Sequence, residues 1–111
     1  MTKLPNRKNA IIEISKLEKY CLNPLHQRGK HKAKVFKSAL NITNKDINFL
    51  YEKLLEAAFE LDAMEISTDS FGTRYYIDCR IIHNNKSAEV RSIWIIKSKE
   101  KIPRLITCYI K

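Results

Sequence analysis

Apolar residues near the start of the chain recur at the spacing of one helix face. In residues 10–20, Ile11, Ile14 and Leu17 lie three residues apart, which predicts a first amphipathic helix. Pro24 follows, and the residue before a proline is pushed out of the helical region. The pattern therefore predicts that this helix ends shortly after residue 20.

The same periodicity predicts two further helices. One covers residues 32–40, and the other runs from about residue 47 to residue 61. Thr43 with Asp46 three residues later is typical of a capped helix start. The residues expected to face the core are Ala33, Phe36, Leu40, Phe49, Leu50, Leu54, Ala57 and Ala58.

After about residue 72, apolar residues recur at every second position, and the helical spacing ends. Residues 73–82, 88–97 and 104–110 each alternate in the way that predicts a strand, with turns at 83–86 and 99–103. Two to three N-terminal helices packed on a C-terminal three- to four-stranded antiparallel sheet satisfy every element. The predicted fold class is therefore α+β.

Strict alternation in the last predicted strand assigns its side chains to two faces. Leu105, Thr107 and Tyr109 share one face, and the opposite face carries Arg104, Ile106, Cys108 and Ile110. This assignment places a hydroxyl group and a phenol side by side.

Length and composition predict one domain. The chain has 111 residues, so we expect a flexible lead-in over residues 1–9 and a single α+β domain over residues 10–111. Charges interrupt its apolar runs, which excludes a secretory signal and a spanning helix, and no membrane contact is expected. The odd number of cysteines, three and widely spaced, favours free thiols and a cytoplasmic site of action, in its own or a target cell.

Positive charge is concentrated at the N-terminal end. The first 40 residues hold ten of the 21 Lys and Arg residues but only two acids, Glu13 and Glu18. Within them, residues 26–37 contain two histidines and no acid. A concentrated positive field attracts phosphates and speeds encounter with a polyanion, so the charge alone predicts RNA, DNA, an acidic membrane face or an acidic protein as the partner. A block of like charge is also often a solvated surface or a mobile arm.

The side chains available for chemistry suit metal-independent cleavage of RNA, in which the 2′-hydroxyl is the nucleophile. His31 is the candidate acid or base, because histidine titrates near neutral pH. Lys32 and Arg91 would hold the phosphate, and Thr107 and Tyr109 would orient or donate. The RNA, with tRNA as one possible substrate, would be bound by Arg28, Lys30, Lys34, Lys37 and Arg74.

No metal or cofactor is expected. His26 and His31 lie five residues apart, with no Cys or carboxylate near enough in sequence to complete a zinc site. The two glycines of the chain leave little room for a phosphate-binding loop.

Each of these candidate residues also has a structural interpretation, without a role in catalysis. A histidine in a lysine-rich turn, such as His31, is most often solvated. Arg91 among apolar neighbours needs a partner, either a phosphate or a structural carboxylate such as Asp78. The alternative function is a non-catalytic nucleic-acid-binding module or the basic member of a toxin–immunity pair. An enzyme would have a pocket where His, Arg and Tyr converge, whereas a binding module would have a flat basic face with scattered histidines.

Four motifs occur in order over residues 16–110: KYCLNPLHQRGKHKAKVF, SFGTRYYID, AEVRSIWII and PRLITCYI. With them the chain resembles a family of small uncharacterised bacterial domains, found alone or at the C-termini of polymorphic toxins and phage head proteins. The resemblance implies a fold like the barnase, colicin and EndoU-type ribonuclease toxins. Their sites use His, Lys or Arg, Thr or Ser, and Tyr, here His31, Lys32, Arg91, Thr107 and Tyr109. An acidic immunity or antitoxin protein is the second expected partner, beside RNA.

Overall fold

The first helix is shorter than its apolar spacing predicts. The structure, a computed structural model, describes residues 2–111. Helix α1 spans only Ile14–Lys16 and continues into a π-helical turn, Leu17–Cys21. The predicted end of this helix near residue 20 is confirmed, whereas its predicted start at residue 10 is wrong.

Residues 10–13 are extended because Ile11 pairs with the last strand of the sheet. The Ile11 N–H donates to the Pro103 carbonyl (2.9 Å), and the Ile11 carbonyl accepts from the Leu105 N–H (3.0 Å). These two bonds satisfy backbone groups that a helix would otherwise satisfy locally. A contact between residues far apart in sequence therefore overrides the local helical pattern.

The other two helices lie where the periodicity predicts them. Helix α2 spans Lys30–Leu40, and helix α3 spans Ile47–Glu60 after a short 3₁₀ turn, Asn44–Asp46. The capping box is present: the Thr43 side chain accepts from the backbone, and Asp46 accepts from the Thr43 N–H (3.0 Å). The predicted core residues are buried, except that Phe49 is half-buried: Ala33, Phe36, Leu40, Leu50, Leu54, Ala57 and Ala58.

Four antiparallel strands form one sheet in the order β1-β2-β3-β4. They span Met64–Asp69 (β1), Gly72–His83 (β2), Lys86–Lys97 (β3) and Arg104–Ile110 (β4). The predicted α+β class is confirmed. Strand β1 has no counterpart among the individual predicted strands, because all six of its residues are exposed and show no buried alternation.

The edge strand β1 is irregular. Its pairing with β2 shifts between Glu65 and Ser67, so Ile66 forms a β-bulge. At the other end of β2, Asn84 and Asn85 both have positive φ (50° and 64°), the backbone that a tight two-residue hairpin requires.

The helices pack on one face of the sheet, and Trp94 lies at its centre. Trp94 and Ser92 are both fully buried on β3. The Trp94 indole N–H donates to Ser92 Oγ (2.9 Å), and the Ser92 hydroxyl donates to the Ile77 carbonyl (3.2 Å). Both buried polar groups therefore have partners, as a dry core requires.

Strand β4 does not alternate strictly. Trp94 pairs with Leu105 but Ile93 pairs with Thr107, so Ile106 is an extra residue that interrupts the alternation. Leu105 and Cys108 are both buried against the core as a result. The predicted assignment of Leu105 and Cys108 to opposite faces is wrong for this reason.

The segment expected to be a lead-in contacts the domain. Leu4 is 1% exposed and belongs to the core, and the Ala63 N–H donates to the Thr2 carbonyl (2.7 Å). Met1 lies outside the described residues, and the mobility of residues 1–9 stays a prediction. Among the described helices, none has the length and apolarity that crossing a bilayer requires.

We expect Gly29→Ala to destabilise the domain, because a Cβ at this position would overlap the backbone carbonyl oxygen of Tyr20. Relieving such an overlap should lower the free energy of unfolding by about 1–3 kcal/mol. Urea denaturation followed by Trp94 fluorescence measures the change. Gln27→Ala, at an exposed position in the same loop, is the matched control. Equal stability of Gly29→Ala and the wild type would contradict the close packing of the π-helical turn on the start of α2.

Candidate active-site groove

Lys32 extends from α2 to the edge strand β4. Its Nζ donates to Thr107 Oγ1 (2.9 Å) and to Tyr20 Oη (3.3 Å). The same ammonium lies 4.8 Å from the centroid of the Tyr20 ring and 5.5 Å from that of Tyr109. Lys32 is half-buried, and it forms no ion pair with any carboxylate of residues 2–111. Its charge is therefore available to an anion.

A buried thiol completes this cluster. Cys21 Sγ lies 3.5 Å from Thr107 Oγ1 and is fully buried. A hydrogen bond from the Cys108 thiol lowers the pKa of Cys21 to about 6, with smaller contributions from Thr107 and from the charge of Lys32, while burial acts in the opposite direction. The same contact, together with burial, raises the pKa of Cys108 well above its usual value. These effects favour the thiolate form of Cys21 and the thiol form of Cys108.

The cluster opens on a groove of about 910 Å³ between the π-helical turn, the loop before α2 and β4. One acid, Glu13, lines the groove, and it lies 3.8 Å from Arg104. The side chains of the groove that could contact an anionic ligand are Lys16, Lys19, Tyr20, His26, Arg28 and Thr107.

His26 is held in one orientation by the start of α2. Its Nδ1 accepts from the backbone N–H of Arg28 (3.0 Å) and of Gly29 (2.8 Å). The ring also packs edge-on against Tyr20, with centroids 4.8 Å apart. Because Nδ1 is the acceptor, the neutral imidazole carries its proton on Nε2. His26 therefore offers an N–H donor at a fixed position in the groove wall.

The structure brings together Lys32, Thr107 and Tyr109. A fourth predicted catalytic residue, Arg91, lies directly opposite Tyr109 on the neighbouring strand and contacts it. His31 does not join them: it is exposed and lines a second groove on another side of α2. Consecutive helix residues point about 100° apart, so His31 and Lys32 face different surfaces.

Arg91 has the carboxylate partner that the sequence left open. Its Nε and Nη2 donate to the two oxygens of Asp78 (2.8 and 2.9 Å), and its guanidinium lies 4.0 Å from the Tyr76 ring centroid. Asp78 is the residue directly opposite Arg91 on β2. The hydrogen bonds from Arg91 hold the pKa of Asp78 below its usual range. The geometry supports a structural role for Arg91.

The predicted nucleic-acid-binding residues are divided among three places. Arg28 lines the groove with His26. Lys30, Lys34 and Lys37 line the second groove. Arg74 lies on the β1–β2 hairpin, where it donates to Asp69 (2.8 Å).

Sequence reasoning missed His26 and Tyr20 as members of the site. His26 lies three residues before Gly29, a spacing at which a side-chain acceptor can cap a helix start, and this was an available signal. No sequence signal indicated a site role for Tyr20, because its helical spacing equally predicts a core residue. Within residues 2–111, no group of three or more His, Cys, Asp or Glu side chains could hold a metal ion.

A family model matches residues 3–111, nearly the whole chain. The chain belongs to the family described as "Domain of unknown function (DUF6883)". This agrees with the resemblance to uncharacterised domains, without adding an activity. No curated protein matches the chain.

Among solved structures, the fold is similar to one chain of the "Contact-dependent growth inhibition toxin - immunity protein complex from Klebsiella pneumoniae 342". The TM-score is 0.70 at 14% sequence identity, and the match covers 91% of this chain and 99% of that chain. At this identity the similarity concerns the fold alone.

We expect Arg91→Ala to act on stability. It would leave Asp78 half-buried without its bidentate partner, at a cost of about 1–3 kcal/mol in the free energy of unfolding. Because pairing lowers the pKa of Asp78, the stabilisation is present at neutral pH and is lost as the pH falls through that lowered pKa.

Denaturant unfolding at several pH values measures both effects. The double variant Arg91→Ala/Asp78→Ala is the matched control, since it removes both charges and should recover part of the stability at neutral pH. A single variant as stable as the wild type would contradict the structural role.

Proposed function

We propose that this domain is a toxin-like ribonuclease that cleaves RNA without a metal ion. The observation that carries the proposal is the hydrogen-bonded chain from Cys21 through Thr107 and Lys32 to Tyr20, which ends in a basic groove. The similarity of the fold to one chain of a toxin–immunity complex supports the toxin-like part of the proposal.

The chain of hydrogen bonds has a direction. Because the Lys32 ammonium can only donate, Thr107 Oγ1 accepts from it, and the Thr107 hydroxyl hydrogen is left to donate to Cys21 Sγ. Lys32 also donates to the Tyr20 oxygen, so the Tyr20 hydroxyl hydrogen is free to point into the groove. The network thus fixes Tyr20 as a donor and leaves Lys32 a third N–H for a phosphate oxygen.

In the proposed reaction, the 2′-hydroxyl oxygen attacks the adjacent phosphorus and its proton passes to water. Negative charge grows on the phosphoryl oxygens, where Lys32 and the Nε2–H of His26 stabilise it. The bond from phosphorus to the 5′-oxygen breaks, and Tyr20 donates its proton to that leaving oxygen. Solvent then returns a proton to Tyr20. The products carry a 2′,3′-cyclic phosphate and a 5′-hydroxyl.

RNA binding is proposed for the basic rim of the same groove. Lys16, Lys19 and Arg28 surround the cluster at positions where successive phosphates of a strand could contact them. Lys30, Lys34 and Lys37 add to the field that draws RNA toward this end of the molecule.

The convergence of side chains favours catalysis over a non-catalytic binding module. His26, Arg28 and Tyr20 meet in one concave groove, which is the arrangement expected of an enzyme. We further propose action in the cytosol, and an acidic immunity or antitoxin protein as the neutralising partner, since the similar structure contains an immunity protein.

Incubating the purified domain with total RNA or tRNA tests the cleavage. Activity should persist in excess EDTA and leave 2′,3′-cyclic phosphate ends. Tyr20→Phe and Lys32→Met should each lower the rate by about 10²-fold or more, as expected when a proton donor or a charge-stabilising group is lost. Circular dichroism checks that both variants fold.

His31→Ala is the matched control, because His31 lies outside the groove and its loss should leave the rate within about twofold of the wild type. A large loss in His31→Ala with full activity in Tyr20→Phe would transfer the chemistry to the second groove. Absence of cleavage by the folded protein, free of any partner, would favour the binding module.

Salt dependence tests the RNA-binding surface separately from catalysis. If Lys16, Lys19, Arg28 and Lys32 each contact a phosphate, the log–log slope of affinity against salt should be about −3 on a single strand. The triple variant Lys16→Ser/Lys19→Ser/Arg28→Ser should flatten the slope to about −1.

The matched control is Lys97→Ser/Lys99→Ser/Lys101→Ser, which removes the same charge from the opposite part of the sequence, outside both grooves. Equal flattening in both triple variants would indicate a diffuse field with no defined groove contacts. A slope near zero in the wild type would exclude RNA as the partner.

A further inference from the structure

A second groove, of about 800 Å³, lies beside α2 on the side that carries His31. Its floor consists of Leu22, Ala33 and Ile42, which are all buried, and Pro24 forms part of its wall. The aliphatic stems of the lysines around it add further apolar surface. The groove is therefore apolar in its depth, unlike the catalytic groove.

The rim of this second groove is basic. None of the described residues that line it is acidic, and within residues 2–111 its lysines form no ion pairs. The nearby Asp46 is engaged elsewhere, by the Thr43 N–H (3.0 Å) and by His83 (3.6 Å). The basic rim residues are Lys30, His31, Lys34, Lys37 and Lys45.

An exposed apolar side chain follows Pro24. Leu25 is 90% exposed, although its backbone is held in place: its N–H donates to Asn23 Oδ1 (2.9 Å). Asn23 Nδ2 in turn donates to the Lys19 carbonyl (3.3 Å). Leu25 directly follows Pro24, which forms part of the groove wall.

We propose that this second groove binds an acidic polypeptide segment, an amphipathic helix with apolar side chains on the floor and carboxylates on the lysine rim. Charge complementarity selects an acidic ligand, and the apolar floor selects a polypeptide over RNA. Single-stranded RNA is bound by stacking of its bases on aromatic rings, and none of the described lining residues is Phe, Tyr or Trp. This binding is separate from the proposed RNA cleavage and does not depend on it.

The test uses a labelled synthetic peptide of about 15 residues, long enough for several helical turns, with Leu at helical spacing and Glu elsewhere. Fluorescence anisotropy with the full chain should show saturable binding that weakens as salt is added. A scrambled peptide of the same composition, without an apolar face, should bind at least about tenfold more weakly.

Two matched variants locate the site. Lys34→Glu/Lys37→Glu should weaken peptide binding about tenfold or more, and Lys97→Glu/Lys99→Glu, with the same change of charge outside the groove, should change it less than about twofold. All four positions are exposed, so both variants should fold like the wild type.

Binding of a labelled oligouridylate to the same variants separates the two proposals. A larger loss of peptide binding than of RNA binding in Lys34→Glu/Lys37→Glu supports an acidic polypeptide, because these lysines contribute to RNA binding through the long-range field alone. A larger loss of RNA binding than of peptide binding would assign the groove to RNA and overturn the proposal. Equal binding of the ordered and scrambled peptides, or no binding of either, would overturn it as well. Cleavage assays on the same samples report independently on the catalytic groove.

Discussion

The structure depends on the sheet having one dry face. Trp94 lies at the centre of that face, and its indole N–H is satisfied by Ser92, which in turn is satisfied by the Ile77 carbonyl. A large side chain with a polar atom can be buried there only because this short relay exists. With all three helices on the same face, the outer edge of β4 meets the helical layer at a seam. Lys32 crosses that seam, so the candidate site is a product of the one-sided packing.

Most of the fold was predictable from local pattern, and the exceptions have long-range causes. Helices α2 and α3 and strands β2 to β4 follow from apolar period, capping residues and an Asn-Asn turn. The first helix starts late because Ile11 pairs with β4. No local sequence pattern predicts this pairing. The bulge at Ile106 likewise depends on the register with β3. The apolar pattern does not predict strand β1, because none of its residues is buried.

The candidate site was only partly predictable for a related reason. Lys32, Thr107 and Tyr109 could be named from their residue types, but their meeting depends on how α2 crosses β4. His26 belongs to the site through its hydrogen bonds to the backbone of a loop. Residue type alone favoured His31, although His31 lines the second groove and Lys32, one helical position later, lies in the candidate site. Arg91 had two possible partners, and the register of β2 with β3 supplies Asp78.

Strand β1 bears on how the protein behaves at high concentration. It leaves one side of the sheet without a neighbouring strand, and it presents Met64 and Ile66 to solvent. An edge of this kind is a template on which identical chains can add strands to one another. The bulge at Ile66 breaks the regular spacing of free N–H and C=O groups, and Glu65 adds charge. Protection of this edge against strand addition therefore rests on the bulge at Ile66 and the charge of Glu65, in a strand that contributes nothing to the core.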